Sequence, residues 1–216
     1  MSRPKQTLRS RLLLWGSALL GVCVGLYVLP LFHIVPLKEA RAQSAAAAFD
    51  AAAYVEEFWN EKLLKGVPEA VDARELLAAF DEDREKAAAR YGHRLGLSGN
   101  ASYFVSGSGD ITTIDRGAIE ITLEQGGMVI IDTGPVFGNA IRDGSGLLDV
   151  SDFANSQDFN ALSSEINRRV EEGVFQLLKE KAAMGAAVRF VGAVDVADSQ
   201  SDVSSLNLVP VIIEFP

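Results

Sequence analysis

An uncharged apolar run from Leu12 to Phe32 constrains this chain more than any other feature. At a helical rise of about 1.5 Å per residue, such a run reaches roughly 30 Å, which is the thickness of the hydrocarbon core of a bilayer. Basic residues precede the run, namely Arg3, Lys5, Arg9 and Arg11. Because short basic flanks stay on the cytoplasmic side, we predict a cytoplasmic flank over residues 1–11, a transmembrane anchor over 12–35, and the remaining chain across the membrane.

Two other interpretations of the same run stay open, cleavage as a signal peptide and lipidation. A signal peptide has a shorter apolar region of about 7–15 residues and a small-residue cleavage site close behind it. Here the first such site, Ala40-Arg41-Ala42, follows only after two polar residues, His33 and Lys38. Cys23, the only cysteine, follows bulky Val22 where lipidation expects a small residue, so we interpret it as an apolar residue of the anchor.

The chain beyond residue 41 is strongly acidic. The whole sequence has 20 Lys and Arg against 29 Asp and Glu, and the first 41 residues contain six of the bases and one acid. The remainder therefore has a net charge of −14. Such a domain repels phosphate backbones and anionic headgroups, so we predict no nucleic-acid binding. Without cysteine outside the apolar run, we expect neither disulfides nor thiolate chemistry.

Residues 36–97 have the pattern of a helical lead-in. One apolar stripe recurs at three- and four-residue steps up to Leu63, and Gly66 with Pro68 ends it. A second helix is predicted to begin at Asp72, whose carboxylate can cap the amide of Glu75. Residues 44–53 are rich in alanine, which allows close helix packing and leaves a homodimer open.

Residues 98–216 have the pattern of an α+β domain with the order β-β-β-α-β-β. Three β-branched segments separated by glycine turns come first, a long helix is predicted over 157–183, and two further strands close the chain. This order predicts a five-stranded antiparallel barrel of the oligonucleotide/oligosaccharide-binding (OB) type, with its helix between the third and fourth strands. A sandwich with a five-stranded antiparallel sheet is the alternative.

The chain resembles the predicted periplasmic lipoproteins of bacteria, a family with a domain of unknown function. The resemblance rests on these segments: His33-Ile34-Val35-Pro36-Leu37, Tyr54 to Trp59, Gly134-Pro135-Val136, Ala140-Ile141-Arg142-Asp143, Asp152-Phe153-Ala154-Asn155, Leu162 to Asn167 and Val188 to Ala193. It implies a membrane-tethered periplasmic module, often encoded beside sugar ABC transporters. In lipidated members the acylated cysteine directly precedes the first segment. Here Phe32 stands in that place, which favours a helical anchor in the inner membrane over a lipid.

The motifs of common enzyme and metal sites are absent from the sequence. The only histidines are His33 and His93, and neither has a triad partner at hand. Zinc needs several His or Cys ligands, and the loop from Asp143 to Asp149 has Leu148 where a calcium loop needs glycine. We therefore predict no cofactor, no metal and no catalytic residue.

A polar constellation before the long helix is the candidate ligand or partner site. It comprises Arg142, Asp143, Asp152, Asn155 and Gln157. Arg142 and Asp143 could form a bidentate pair that holds the loop, or Arg and amide groups could bind a sugar or a partner backbone. Asp152 and Asn155 also offer a helix N-cap.

Two functions remain after these exclusions. We expect a non-enzymatic accessory module that binds a protein partner, such as a subunit of an ABC transporter or a sugar-binding protein. The alternative is a carrier or sensor with a sugar or polyol near Arg142 and Asn155. Hydrolysis by paired carboxylates stays open as well, because many external acids allow some pair to meet.

Overall fold

The computed structural model describes residues 49–65, 69–94, 100–197 and 203–216. The anchor predicted over 12–35 lies outside these ranges, as do the flank 1–11 and the first part of the lead-in. Within the described ranges, no helix is long and apolar enough to cross a bilayer. The residues from Phe49 to Pro216 form one compact unit, so the helices before the first long strand belong with the strands.

Three short helices open this unit, and local capping sets their starts. Helix α1 (Ala51–Phe58) begins after Asp50, whose carboxylate accepts from the amide of Ala53, and it continues as a π-helical turn over Trp59–Leu63. Helix α2 (Ala73–Glu82) is capped by Asp72, as predicted, and helix α3 (Arg84–Tyr91) is capped by Asp83. Each of the three helices buries its apolar side chains in the shared core.

The strands of the described residues form one mixed sheet. They are β1 (Val71–Asp72), β2 (Asn100–Ile114), β3 (Ala118–Leu123), β4 (Met128–Asp132), β5 (Ala187–Ala197) and β6 (Ser205–Glu214). Strands β2, β3 and β4 form an antiparallel meander, and β5 pairs antiparallel with both β6 and β2. Strand β4 pairs with β6, so the pairings from β2 through β3, β4, β6 and β5 return to β2.

The expectation of five purely antiparallel strands was wrong in two respects. Strands β4 and β6 run parallel, from Met128 opposite Ser205 to Ile130 opposite Asn207. After β4 the chain leaves the sheet, and it returns as β5 on the side of β2 that faces away from β3. Because β5 runs antiparallel to β2 and β6 runs antiparallel to β5, β6 lies beside β4 and runs in the same direction. A short sixth strand, β1, also pairs parallel with β2 at Val105 and Ser106.

Two glycines allow β2 to pack closely in the middle of its length. A Cβ on Gly109 would lie 2.2 Å from the carbonyl oxygen of Thr122 on β3, which no side chain permits. A Cβ on Gly107 would lie 2.6 Å from the ring of Phe190 on β5. Glycine is therefore required for this close approach of strands.

The connection from β4 to β5 is helical and packs against β2, β5 and β6. It contains α4 (Ala140–Gly144), a 3₁₀ turn (Val150–Asp152), α5 (Ser156–Arg169), a π-helical turn (Val170–Val174) and α6 (Phe175–Lys181). The sequence predicted one helix over 157–183, and the helical run of the structure extends from Ser156 to Lys181 with the π turn inside it. Helix α5 packs against α1, and it buries Phe159, Leu162 and Ile166 in the core.

Candidate functional site

The structure brings Arg142 and Asp143 together as a buried pair on α4. Arg142 is only 5% exposed. Its Nε donates to Asp143 Oδ1 at 2.6 Å, and its Nη2 donates to Asp143 Oδ2 at 3.2 Å. Nη1 donates to Asn160 Oδ1 at 3.1 Å and to the carbonyl of Phe159 at 3.4 Å, and the guanidinium lies 4.0 Å from the centroid of the Phe159 ring. We call these four residues the Arg142 cluster.

This geometry matches the first of the two predicted roles of Arg142 and Asp143, a bidentate pair that holds the loop. Every nitrogen of the guanidinium donates to a protein acceptor, and four of its five N–H groups are used, which leaves one N–H of Nη2 for a further acceptor. The bidentate pair and the ring contact join α4 to α5. A ligand-binding role for Arg142 stays a prediction that this arrangement does not favour.

The other three residues of the predicted constellation lie apart from the guanidinium. Asn155 is the N-cap of α5, because its Oδ1 accepts from the amide of Asp158 at 2.9 Å. Asp152 ends the 3₁₀ turn, Gln157 lies in the first turn of α5, and both are exposed. Within the described ranges, no hydrogen bond connects any of the three to Arg142.

A second polar surface lies on the neighbouring face of α5, and we call it the α5 groove. It is an open groove of about 500 Å³ between the loop that follows β4 and the helix. The loop contributes Val136, Phe137, Gly138 and Asn139, and the helical run contributes Asn160, Ser163, Ser164, Asn167, Arg168 and Glu171.

Two helical side chains hold the loop wall of the α5 groove. Asn167 Nδ2 donates to the carbonyls of Val136 and Gly138 at 3.3 and 3.1 Å. Glu171 Oε1 accepts from the amide of Val136 at 2.7 Å. Glu171 belongs to the π turn, and such turns recur at functional sites because they redirect side chains. The loop is therefore fixed in position rather than loosely attached.

Two groups of the α5 groove lack the contacts that their chemistry favours. Phe137 is 83% exposed, although burial of an aromatic side chain is worth roughly 1.5–3 kcal/mol. Ser163 is 6% exposed, and its Oγ has no hydrogen-bond partner among the described residues. A side chain as exposed as Phe137 is accessible to another molecule, whereas the buried Ser163 hydroxyl is not.

The charges beside the α5 groove are largely neutralised. Arg168 donates to both Glu165 and Glu172, so it is ion-paired on two sides. The hydrogen bond from Arg168 lowers the pKa of Glu165, and the two carboxylates raise the pKa of Arg168. The groove therefore combines neutral amide and hydroxyl groups and the Glu171 carboxylate with apolar surface, which suits a peptide segment.

Sequence reasoning missed the α5 groove, although one signal was present. Asn160, Ser164, Asn167 and Glu171 follow each other at steps of four, three and four residues, which places them on one helix face. The apolar stripe of Phe159, Leu162 and Ile166 lies beside this face. Gly134-Pro135-Val136 was used only as a segment of the family resemblance, so Phe137 received no role.

Comparisons with known proteins agree with the fold and leave the site undefined. Residues 22–214 match the sequence profile of a family described as "Predicted periplasmic lipoprotein (DUF2291)". A crystal structure of an OB-fold protein from Thermotoga maritima is similar, with 25% sequence identity and a TM-score of 0.69. The alignment covers 78% of this chain and 99% of that chain. No functionally curated protein matches the chain.

Proposed function

The chain belongs to the family of predicted periplasmic lipoproteins, and we propose from this premise that it is a non-enzymatic accessory module. In this proposal the module is tethered to the inner membrane by residues 12–35, faces the periplasm and binds a partner protein through the α5 groove. The exposed Phe137 carries the proposal. Aromatic side chains with low conformational entropy provide much of the binding energy at protein interfaces.

The rigidity of the surroundings supports a protein partner. Asn167 and Glu171 fix the loop on both sides of Phe137, so little ordering entropy would be lost on binding. The groove also presents free faces of Asn139 and Ser164 beside the aromatic ring, where a partner backbone could form hydrogen bonds. We propose a component of a sugar ABC uptake system as the partner, which rests on the gene context that the family resemblance implies.

A matched pair of variants tests this role. Full-length protein with Phe137→Ser should lose the partner when it is crosslinked in membranes and purified. The control, Val150→Ser, removes a different apolar side chain that is 46% exposed and lies outside the α5 groove, so it should retain the partner. Equal recovery of the same transporter subunit with both variants, or no transporter subunit with the wild type, would contradict the proposal.

The mode of membrane attachment has its own test. The mass of the mature protein extracted from membranes should equal that of the intact chain if residues 12–35 are an uncleaved anchor. A mass that corresponds to cleavage before Cys23 with added acyl chains would show a lipid anchor instead, as the family's description implies.

The finer description of the fold is also a proposal. We propose that the ring of β2, β3, β4, β6 and β5 is a closed OB-like barrel. The short parallel ladder between β4 and β6 is the pairing on which closure depends. Slow amide hydrogen exchange within residues 205–207 of β6, which pair with β4 and precede the pairing of β6 with β5, should accompany closure when measured by NMR, and fast exchange limited to these positions would contradict it.

Direct binding of a sugar or polyol is the second candidate function. The observation that favours it is the combination of an aromatic face, Phe137, with the neutral hydrogen-bonding groups of Asn160 and Ser164 in one groove. Neutral sugars should then raise the melting temperature of the wild type and have less effect on the Ser164→Ala and Phe137→Ser variants. Absence of any sugar-dependent shift in the wild type would exclude this candidate.

A further inference from the structure

A second cleft lies far along the chain from the α5 groove, between the paired helices α2 and α3 and the ends of β2 and β5. Its volume is about 620 Å³. Its main lining residues are Phe80, Arg84, Ala88, Arg94, Tyr103 and Val196. We propose that this cleft, which we call the Arg84 cleft, binds a small organic monocarboxylate with an apolar body.

Arg84 provides the first argument for this ligand class. Its guanidinium carbon lies 5.8 Å from the centroid of the Phe80 ring, which holds the group at the cleft. Its Nη2 is buried and has no hydrogen-bond partner in the described parts of the chain. An unpaired buried donor is costly, and it is more costly when it belongs to a charged group. The rest of the side chain is partly exposed, so a small rotation would present its paired N–H groups to a carboxylate, for which this fork is well matched.

The floor of the Arg84 cleft provides the second argument. Phe80 and Tyr103 pack edge to face, with ring centroids 5.2 Å apart, and both are almost fully buried. Ala88 and Val196 continue this apolar surface. The parts of these side chains that remain accessible form a small apolar strip beside the guanidinium, which matches a molecule with a charged end and a short apolar body. The volume is in the range of about 300–1,000 Å³ that is common for small-molecule sites.

The net charge of the lining favours a single negative charge on the ligand. The charged lining residues are Arg84, Arg94 and Glu85, which together carry one net positive charge, and the chain beyond residue 41 is acidic overall. A dianion such as a phosphate monoester would meet more repulsion from these carboxylates than a monocarboxylate would. The proposal is independent of the partner role of the α5 groove, because the two surfaces share no lining residue.

Calorimetric titration of the full-length protein in lipid nanodiscs with hexanoate tests the proposal, with hexanol and hexyl phosphate as comparison probes. Empty nanodiscs provide the background for partition into lipid. The wild type should bind hexanoate more tightly than either comparison probe. Arg84→Met should weaken hexanoate binding at least about tenfold, and Arg84→Lys should weaken it less, since it retains the charge without the fork.

Two further variants separate a binding defect from a folding defect. Ala89→Trp should block the cleft by volume while all charges are retained, because Ala89 is an exposed lining residue. Arg116→Met removes an exposed arginine between β2 and β3 that lines neither the Arg84 cleft nor the α5 groove, and it should leave hexanoate binding unchanged. Three results would each overturn the proposal. The first is no hexanoate binding to the wild type, and the second is equal hexanoate binding to the wild type, Arg84→Met and Ala89→Trp. The third is tighter binding of hexyl phosphate than of hexanoate to the wild type.

Discussion

The Arg142 cluster and the α5 groove both use residues of α5, yet they differ in how completely their polar groups are satisfied. In the Arg142 cluster, one 5% exposed guanidinium has acceptors for all its nitrogens and an aromatic ring against it. In the α5 groove, Phe137 is 83% exposed and the buried Ser163 Oγ has no partner among the described residues. Asn160 belongs to both regions, so the two environments lie side by side.

This difference separates residues that hold the fold from residues that are available to a partner. A buried charge is retained in a folded protein only when its partners are supplied internally, and this leaves little capacity for a ligand. An exposed aromatic side chain on a rigid loop has the opposite character. Polarity in the sequence therefore did not point to the α5 groove, which we propose as the partner-binding surface because of the exposed Phe137.

The largest expected effect concerns the Arg142 cluster. Arg142→Met leaves the largely buried Asp143 carboxylate without its cation, so the free energy of unfolding should fall by about 3–5 kcal/mol. The double variant Arg142→Met with Asp143→Leu removes both charges and should regain a substantial part of this loss. Urea unfolding measures both values. A loss below about 1 kcal/mol in the single variant would mean that the cluster does not stabilise the fold.

A smaller loss of stability is expected when the loop of the α5 groove loses its attachment to the helix. Asn167→Ala removes the donor shared by the carbonyls of Val136 and Gly138, and the expected cost is about 1–3 kcal/mol by urea unfolding. The loop should also exchange its amide hydrogens faster. Ser164→Ala, on the same helix face, is the control and should change stability by less than about 0.5 kcal/mol. Similar values for the two variants would show that the loop is not held by Asn167.

The next prediction concerns how stability depends on pH through Asp195, a carboxylate close to the Arg142 cluster. Burial raises the pKa of Asp195, the Asp143 carboxylate adds to this shift, and the hydrogen bond from Ser102 opposes it. The residue is nevertheless exposed, so the shift and its effect on stability should be small. With a raised pKa, the folded state binds the proton more tightly than the unfolded chain does. The contribution of Asp195 to stability is therefore largest below the unfolded pKa of about 4 and is lost as pH rises through the folded pKa.

Asp195→Asn tests this sign because it removes the titration and retains an acceptor for Ser102, whose Oγ donates to Asp195 Oδ1 at 2.5 Å. Unfolding free energies of variant and wild type should be compared at pH 4 and pH 7. The stability of the variant relative to the wild type should be greater at pH 7 than at pH 4. A difference that does not depend on pH would show that Asp195 titrates alike in the folded and unfolded states.

The smallest effects are expected at the two unsatisfied groups of the α5 groove. Ser163→Ala removes a buried hydroxyl that has no partner in the described residues, so it should be neutral or stabilising by up to about 1 kcal/mol. Phe137→Ser should change stability by less than about 0.5 kcal/mol, since the ring is exposed. Thermal unfolding measures both. A marked destabilisation by either change would place that residue with the structural cluster and remove the contrast between the two regions.

Local patterns in the sequence predicted local structure well. Asp72 caps α2 as expected because an N-cap depends only on residues two or three positions away. The apolar stripe around Val55, Phe58 and Leu63 is buried for the same reason. The parallel pairing of β4 with β6 was not predicted, because it depends on where the chain returns to the sheet after a helical excursion of more than fifty residues.

The candidate site was predicted only in part, and again the limit was sequence distance. Arg142 and Asp143 are neighbours, so their pairing was one of the stated alternatives. The α5 groove requires contacts between the loop at Val136 and helical residues 31 and 35 positions later, Asn167 and Glu171. A single sequence gives no direct sign of such contacts. The resemblance to the lipoprotein family predicted the compartment but no site.

Site-specific photocrosslinking at position 137 tests the central claim most directly. A photoreactive amino acid replaces Phe137 in the full-length protein in intact cells, and the same amino acid at Val150 is the control. Our account predicts a defined adduct with one transporter component from position 137 and none from position 150. The same adduct from both positions, or an adduct from position 150 alone, would contradict the assignment of the α5 groove as the partner-binding surface.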